Sequence, residues 1–177
     1  MFTEKKPDAQ RVALVGCSAT KLNRKAPARE LYTSSLFRAS YEYAEKTCDA
    51  VLIVSTFHGL VTPDTVLEPY DRNLRKLRKI ERESWGMRTI GALGSKFKVP
   101  PLLVILAGKV YAEALVFGAH WHGLPKPEEP LERIVGIGPR VAWLKANTPN
   151  STGASVCQPG AATGPMPGAA KQERQRR

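Results

Sequence analysis

Three short polar segments each follow an apolar run, and they hold most of the side chains able to do chemistry. The first, Gly16-Cys-Ser-Ala-Thr-Lys21, sets a thiol, two hydroxyls and an ammonium beside a glycine. Cys17, Ser18 and Lys21 could hold an anion through backbone N–H groups and the lysine charge. The spacing is not that of a Walker loop, and no base adjoins Cys17, so a small buried thiol is the plainer reading. The second segment, Ser55-Thr-Phe-His-Gly-Leu60, puts His58 directly after a strand, with Asp64, Glu68, Tyr70 and Asp71 downstream. A histidine near carboxylates can act as general acid or base, which makes His58, Asp64 and Asp71 the candidate catalytic groups. The competing reading is a structural histidine, with Asp64 and Asp71 as caps. The third segment, Ala107-Gly-Lys-Val-Tyr111, adds Gly108 and Tyr111.

A second constellation is cationic. Residues 72–82 carry Arg72, Arg75, Lys76, Arg78, Lys79 and Arg82 against Glu81. At helical spacing Leu74, Leu77 and Ile80 would face one way and much of the charge the other, so a solvated helix face explains the pattern without function. Phosphate contact is the functional reading. Trp85, Trp121, Trp143, His120 and His122 could add stacking surface, although buried tryptophans are the commoner case. His120 and His122 would point opposite ways in a strand, and with no third ligand in sight no metal site is expected.

Apolar runs must position these groups. Arg11–Gly16, Ala50–Ser55 and Pro100–Ala107 read as buried strands, the last most clearly. Ser34 or Ser35 can cap a helix through Leu36, Phe37, Tyr41 and Ala44. Further helices are expected from about Asp71, from about Arg82 to Lys96, from Lys109 to a stop at Gly118, and around Pro139 to Ala146. Unbroken apolar strands alternating with helices imply a parallel sheet covered on both faces. The expected fold is a compact three-layer α/β domain over residues 1–147, with a mainly parallel sheet and room for one more strand. In such a sheet the three polar segments meet at one edge, where ligands gather. From Thr148 the composition shifts to Pro, Gly and Ala and closes on four cations against one acid. Residues 148–177 read as a disordered basic tail.

The composition also narrows the classes of function. With 177 residues, a net charge of +11 and 42 % hydrophobic residues, the chain suits one soluble, basic domain. No apolar run approaches the length needed to cross a bilayer. The start is polar, and Cys17, Cys48 and Cys157 are too scattered for a disulfide framework, so a cytoplasmic setting is expected. The basic charge leaves nucleic acid or another polyanion open as partner, and a merely basic soluble protein equally so. No cofactor is expected.

Gly16-Cys-Ser-x-x-Lys21, Ala26-Pro-Ala-Arg-Glu-Leu-Tyr-Thr-Ser-Ser-Leu-Phe37, Ser55-x-x-His-Gly-Leu-Val61, Pro63-Asp64 and Glu68-Pro-Tyr-Asp71 together resemble a prokaryotic and phage family of unknown function. Its members are labelled as similar to the peroxide stress protein YaaA. The likeness runs from about Val12 to Leu144 and includes Ala107-Gly-x-x-Tyr111 and Ile137-Gly-x-x-x-x-Trp-Leu144. The resemblance implies a site made of Cys17, Ser18, Lys21, Arg29, Tyr32, His58, Asp64, Tyr70 and Asp71. It also implies DNA association, with chemistry on modified nucleobases or in DNA processing. Arg29 and Tyr32, expected in a loop after the first strand, suit this too, since a guanidinium can hold phosphate in bidentate fashion.

The leading expectation is an enzyme-like protein that binds a nucleotide or nucleobase, within DNA or RNA, and acts on the bond to a base. Lys21 and Arg29 would hold phosphate, Tyr32 or Tyr70 would contact the base, and His58 with Asp64 or Asp71 would move protons. The alternatives are a non-catalytic DNA-binding protein and a sensor of small nucleotides.

Overall fold

The strand segments are apolar on both faces because each is covered by helices above and below, which suits them to a central parallel sheet. The computed structural model describes residues 9–94 and 96–149. Strands β1 (Arg11–Gly16) and β3 (Ala50–Ser55) pair in parallel with Val12 opposite Ala50. On its other side β1 pairs in parallel with β6 (Leu102–Leu106), Val12 opposite Leu103. The further strand is β4 (Gly59–Val61), which turns back antiparallel on β3. Gly59 has φ 69°, a backbone state that glycine enters without strain, and this allows the sharp return. The sheet order is β4-β3-β1-β6. Apart from it, β2 (Ala26–Pro27) and β5 (Val66–Leu67) form a small antiparallel pair with the one-turn helix α1 (Ala28–Leu31) beside it.

Two apolar layers enclose the sheet. Ala13, Val15, Ile53, Val104 and Leu106 pack against Phe37, Tyr43 and Ala44 of α2 (Ser35–Thr47) and Leu144 of α5 (Ile137–Asn147). Val12, Leu14, Leu52, Val54, Leu103 and Ile105 pack against Trp85 and Ile90 of α3 (Lys79–Gly91) and Ala114 and Leu115 of α4 (Lys109–Trp121). The fold is therefore the expected three-layer α/β domain. Ser34 caps α2 as expected, its hydroxyl accepting the Phe37 N–H at 3.2 Å.

Several local expectations are corrected. Asp71–Asn73 is irregular, Leu74–Lys76 is one 3-10 turn, and helix begins only at Lys79, so the cationic segment is no single helix. Leu74 is wholly buried while Ile80 is 63 % exposed, so the apolar stripe across them is broken. Asn73, not Asp71, caps the turn, accepting the Arg75 N–H at 2.9 Å. Helix α3 ends at Gly91, short of Lys96, and α4 runs past Gly118 to Trp121. Gly118 is no stop because it is a crossing point: a Cβ there would lie 2.5 Å from the Gly86 carbonyl oxygen on α3. His120 and His122 thus sit at a helix end rather than in a strand, and the His122 Nε2 lies 2.9 Å from the Met87 carbonyl oxygen, tying α4 to α3. Arg29 likewise lies in α1 rather than in a loop. Of the expected tail only Thr148 and Pro149 are among the described residues, and Thr148 donates to the Leu144 carbonyl at 2.7 Å to close α5. No helix among the described residues is long and apolar enough to cross a membrane.

Candidate functional site

Strand β1 leads into α2 on one face of the sheet, while its neighbour β6 leads into α4 on the other. The two connections part at the carboxyl ends of these strands, which opens a crevice there. A pocket of about 360 Å³ fills it. Gly16 to Lys21 form one wall, Leu106 to Gly108 and Tyr111 another, and Ser34 to Phe37 with Ser40 a third. Asp71, Arg72, Asn73 and Arg75 close it from the side. Gly16 must be small here, since a Cβ would come within 2.8 Å of the Ala107 Cβ. The first residues of both α2 and α4 face this space, so two helix N-termini converge on it. A larger cavity of about 710 Å³ adjoins it, sharing Arg75, Ala107, Gly108 and Ile137 and lined by Ile105, Ala112, Val116 and Ile134.

Behind the Cys17 wall runs a chain of hydroxyls. Ser55, fully buried, accepts the N–H groups of Phe57 and His58 at 3.3 and 3.0 Å. Both its lone pairs are then taken, so its own proton goes to the Tyr70 hydroxyl at 2.7 Å. Tyr70 in turn donates to the Tyr32 hydroxyl at 2.9 Å. Burial pushes the phenol of Tyr32 up, and that of Tyr70 well above its ordinary range, so both stay protonated. The Lys21 Nζ lies over the Tyr70 ring, 4.4 Å from its centroid, and 5.7 Å from the centroid of the Tyr32 ring. A second trio holds the Cys17 Sγ 3.5 Å from the Tyr111 hydroxyl and 3.8 Å from the Thr56 hydroxyl, with Thr56 and Tyr111 bonded to each other. Burial, then the nearby Cys17, also pushes Tyr111 up.

Among the residues expected to form the site, the pocket gathers Cys17, Ser18, Lys21, Asp71, Arg72, Arg75, Gly108 and Tyr111. Tyr32 and Tyr70 stand just behind it through Lys21. Asp64 is not brought there: it forms a surface ion pair with Arg29, and its side chain is 75 % exposed. The backbone explains this, because Arg29 N–H donates to the Pro63 carbonyl and so docks α1 on the Pro63–Asp64 turn. His58 lines a separate hollow of about 370 Å³ with Trp85, Arg88 and Leu77, its ring edge-on to Tyr70 at 5.4 Å. Arg72 borders both spaces. Of the other cations, Arg78 pairs with Glu81 and Lys79 with Glu83. Among the described residues no three His, Cys, Asp or Glu side chains cluster as a metal would require.

Sequence reasoning missed Ser40, Asn73 and Ile137, which also line the pocket. Ser40 could have been found from its place one turn past Leu36 on the face that carries Phe37. Ile137 comes from a distant helix and gave no local signal.

The class defined by fold and crevice is a mainly parallel α/β protein with a pocket at the point where its connections part. Residues 12–146 match a family of unknown function (DUF6884), and the chain belongs to that family. No curated protein and no solved structure matches it.

Proposed function

We propose that the protein binds a nucleotide in the crevice between β1 and β6, as a free molecule or as part of DNA or RNA. The observation that carries this reading is the convergence of Lys21, Arg72, Arg75 and two helix N-termini on one pocket beside a larger cavity with both apolar and charged walls. The cations and helix ends suit phosphate, and the larger cavity has room for a base and sugar, its apolar wall for the base and its polar groups for the sugar. Asp71 is the carboxylate within the pocket and is the group to test for proton transfer on the bond to a base. His58 lies across Arg72 from it and would act only on a ligand that spans both hollows.

Thermal shift with nucleosides, nucleotides and short DNA is the test. A nucleotide should raise the melting temperature of the protein, and Arg75→Ala should abolish that rise. No shift with any nucleotide or strand would sink the reading.

A second reading, attachment to a nucleic-acid polymer without catalysis, has its own observation. Arg72, Arg75, Lys76 and Arg82 carry no ion pair among the described residues, and the first two line the pocket while the other two do not. Such a track suits a sugar-phosphate backbone.

A further inference from the structure

We propose that the first turn of α2 and Ser40 form a subsite for a terminal phosphate, the phosphomonoester of a mononucleotide or of a strand end. The identity of the remainder of the ligand rests on the nucleotide reading above; the phosphate subsite does not. Ser40 is 1 % exposed, belongs to the pocket wall, and its hydroxyl has no hydrogen-bond partner. A serine inside a helix commonly donates back to the carbonyl one turn earlier, and Ser40 does not. A buried hydroxyl left without a partner is costly, and a turn of the Ser40 side chain toward the pocket would let a ligand oxygen supply one.

The rest of the wall is built of donors. Ser34 satisfies the N–H groups of Phe37 and Arg38 through its hydroxyl and carbonyl, at 3.2 and 3.1 Å. That leaves the Ser35 and Leu36 N–H groups as free donors at the start of a 13-residue helix. The first turn of α2 carries no acid, and Lys21 lies in the facing wall. Two amides, two serine hydroxyls and an ammonium match an oxyanion with several free oxygens. Asp71 also lines the pocket, next in sequence to the cation Arg72. A phosphodiester has only two free oxygens and must leave on both sides. A group that ends the chain offers three, and the depth of Ser40 favours it.

Calorimetric titration of the full chain and its Ser40→Ala variant tests this. The probes are inorganic phosphate, the four common nucleosides, their 5′-monophosphates, and a dinucleotide lacking a terminal phosphate. Ser40→Ala should leave the melting temperature of the free protein unchanged or higher, since the hydroxyl lost had no partner. It should weaken binding of the monophosphates and of inorganic phosphate by about tenfold or more, the usual worth of one bond to a charged group. Nucleosides and the dinucleotide should bind weakly to both forms. Unchanged monophosphate affinity in Ser40→Ala overturns the subsite, as does equal weakening of nucleosides, a lowered melting temperature, or no binding of any phosphate. Ser40-dependent binding of inorganic phosphate with no gain from a nucleoside keeps the subsite and removes the nucleotide.

Discussion

The Tyr70 hydroxyl is committed to the fold, linking Ser55 to Tyr32 behind the pocket, so any contact it makes with a ligand must come through its ring. Tyr70→Phe leaves the Ser55 proton and the Tyr32 oxygen unmatched in a buried place, and should cost about 1–3 kcal/mol in urea denaturation. The pH dependence follows from the same burial. Tyr32, Tyr70 and Tyr111 are raised above the ordinary phenol value of 10.0, and Tyr41 is pushed up to about 12 by burial and Glu45. Raised folded values stabilise fully below pH 10 and are lost as the pH climbs above it, so the protein should weaken steeply between pH 10 and 12. Tyr70→Phe should show a shallower alkaline loss when both are unfolded by urea at pH 8 and pH 11. The two aspartates divide in the same way. Asp64→Asn breaks only an exposed pair with Arg29, worth about 0–1 kcal/mol, and should leave nucleotide-induced stabilisation as it was. Asp71→Asn changes a pocket wall, and thermal shift with nucleotides should differ from wild type. Sequence order placed both acids after His58; only the docking of α1 on the Pro63–Asp64 turn separates them.

Helices α3 and α4 owe their contact to two glycines facing one another. A Cβ at Gly86 would fall 1.9 Å from the Ala114 carbonyl oxygen, and one at Gly118 would fall 2.5 Å from that of Gly86. Glycine weakens an isolated helix by about 0.5–1 kcal/mol relative to alanine, so alanine gains locally. Backbone atoms cannot yield as a side chain would, and overpacking costs about 1–3 kcal/mol or more. Gly86→Ala should therefore lower the melting temperature by several degrees, with Gly118→Ala smaller in effect; equal or higher melting would refute the close crossing. The strands were legible because Val, Ile and Leu run unbroken through them, and α2 because Ser34 precedes an apolar stripe. The glycine of α4 was misread as a stop because its role lies on another helix. Residues 72–82 were misread for a related reason: helical spacing was present, but Leu74 turns inward in a 3-10 turn and the charges spread along an irregular path.

Across the whole molecule, a net charge of +11 says only that polyanions will be attracted, and the distribution of the cations decides how. Ion pairs to Glu81 and Glu83 neutralise Arg78 and Lys79 within their own helix. Arg72, Arg75, Lys76 and Arg82 remain to meet phosphates outside. One contact each would give a plot of log affinity against log salt concentration a slope of about −3 to −4 on duplex DNA. Replacing Lys76 or Arg82 by Ala should flatten that slope by about one unit apiece, uniformly across sequences. Arg75 differs because it also lines the pocket, so Arg75→Ala should flatten the slope and remove the thermal shift caused by a mononucleotide. Titrating duplex DNA at several salt concentrations, with the mononucleotide shift measured beside it, separates a cation that serves the track from one that serves both. If Arg75→Ala alters the salt slope alone, track and pocket are independent, and the crevice does not receive the strand that the cations hold.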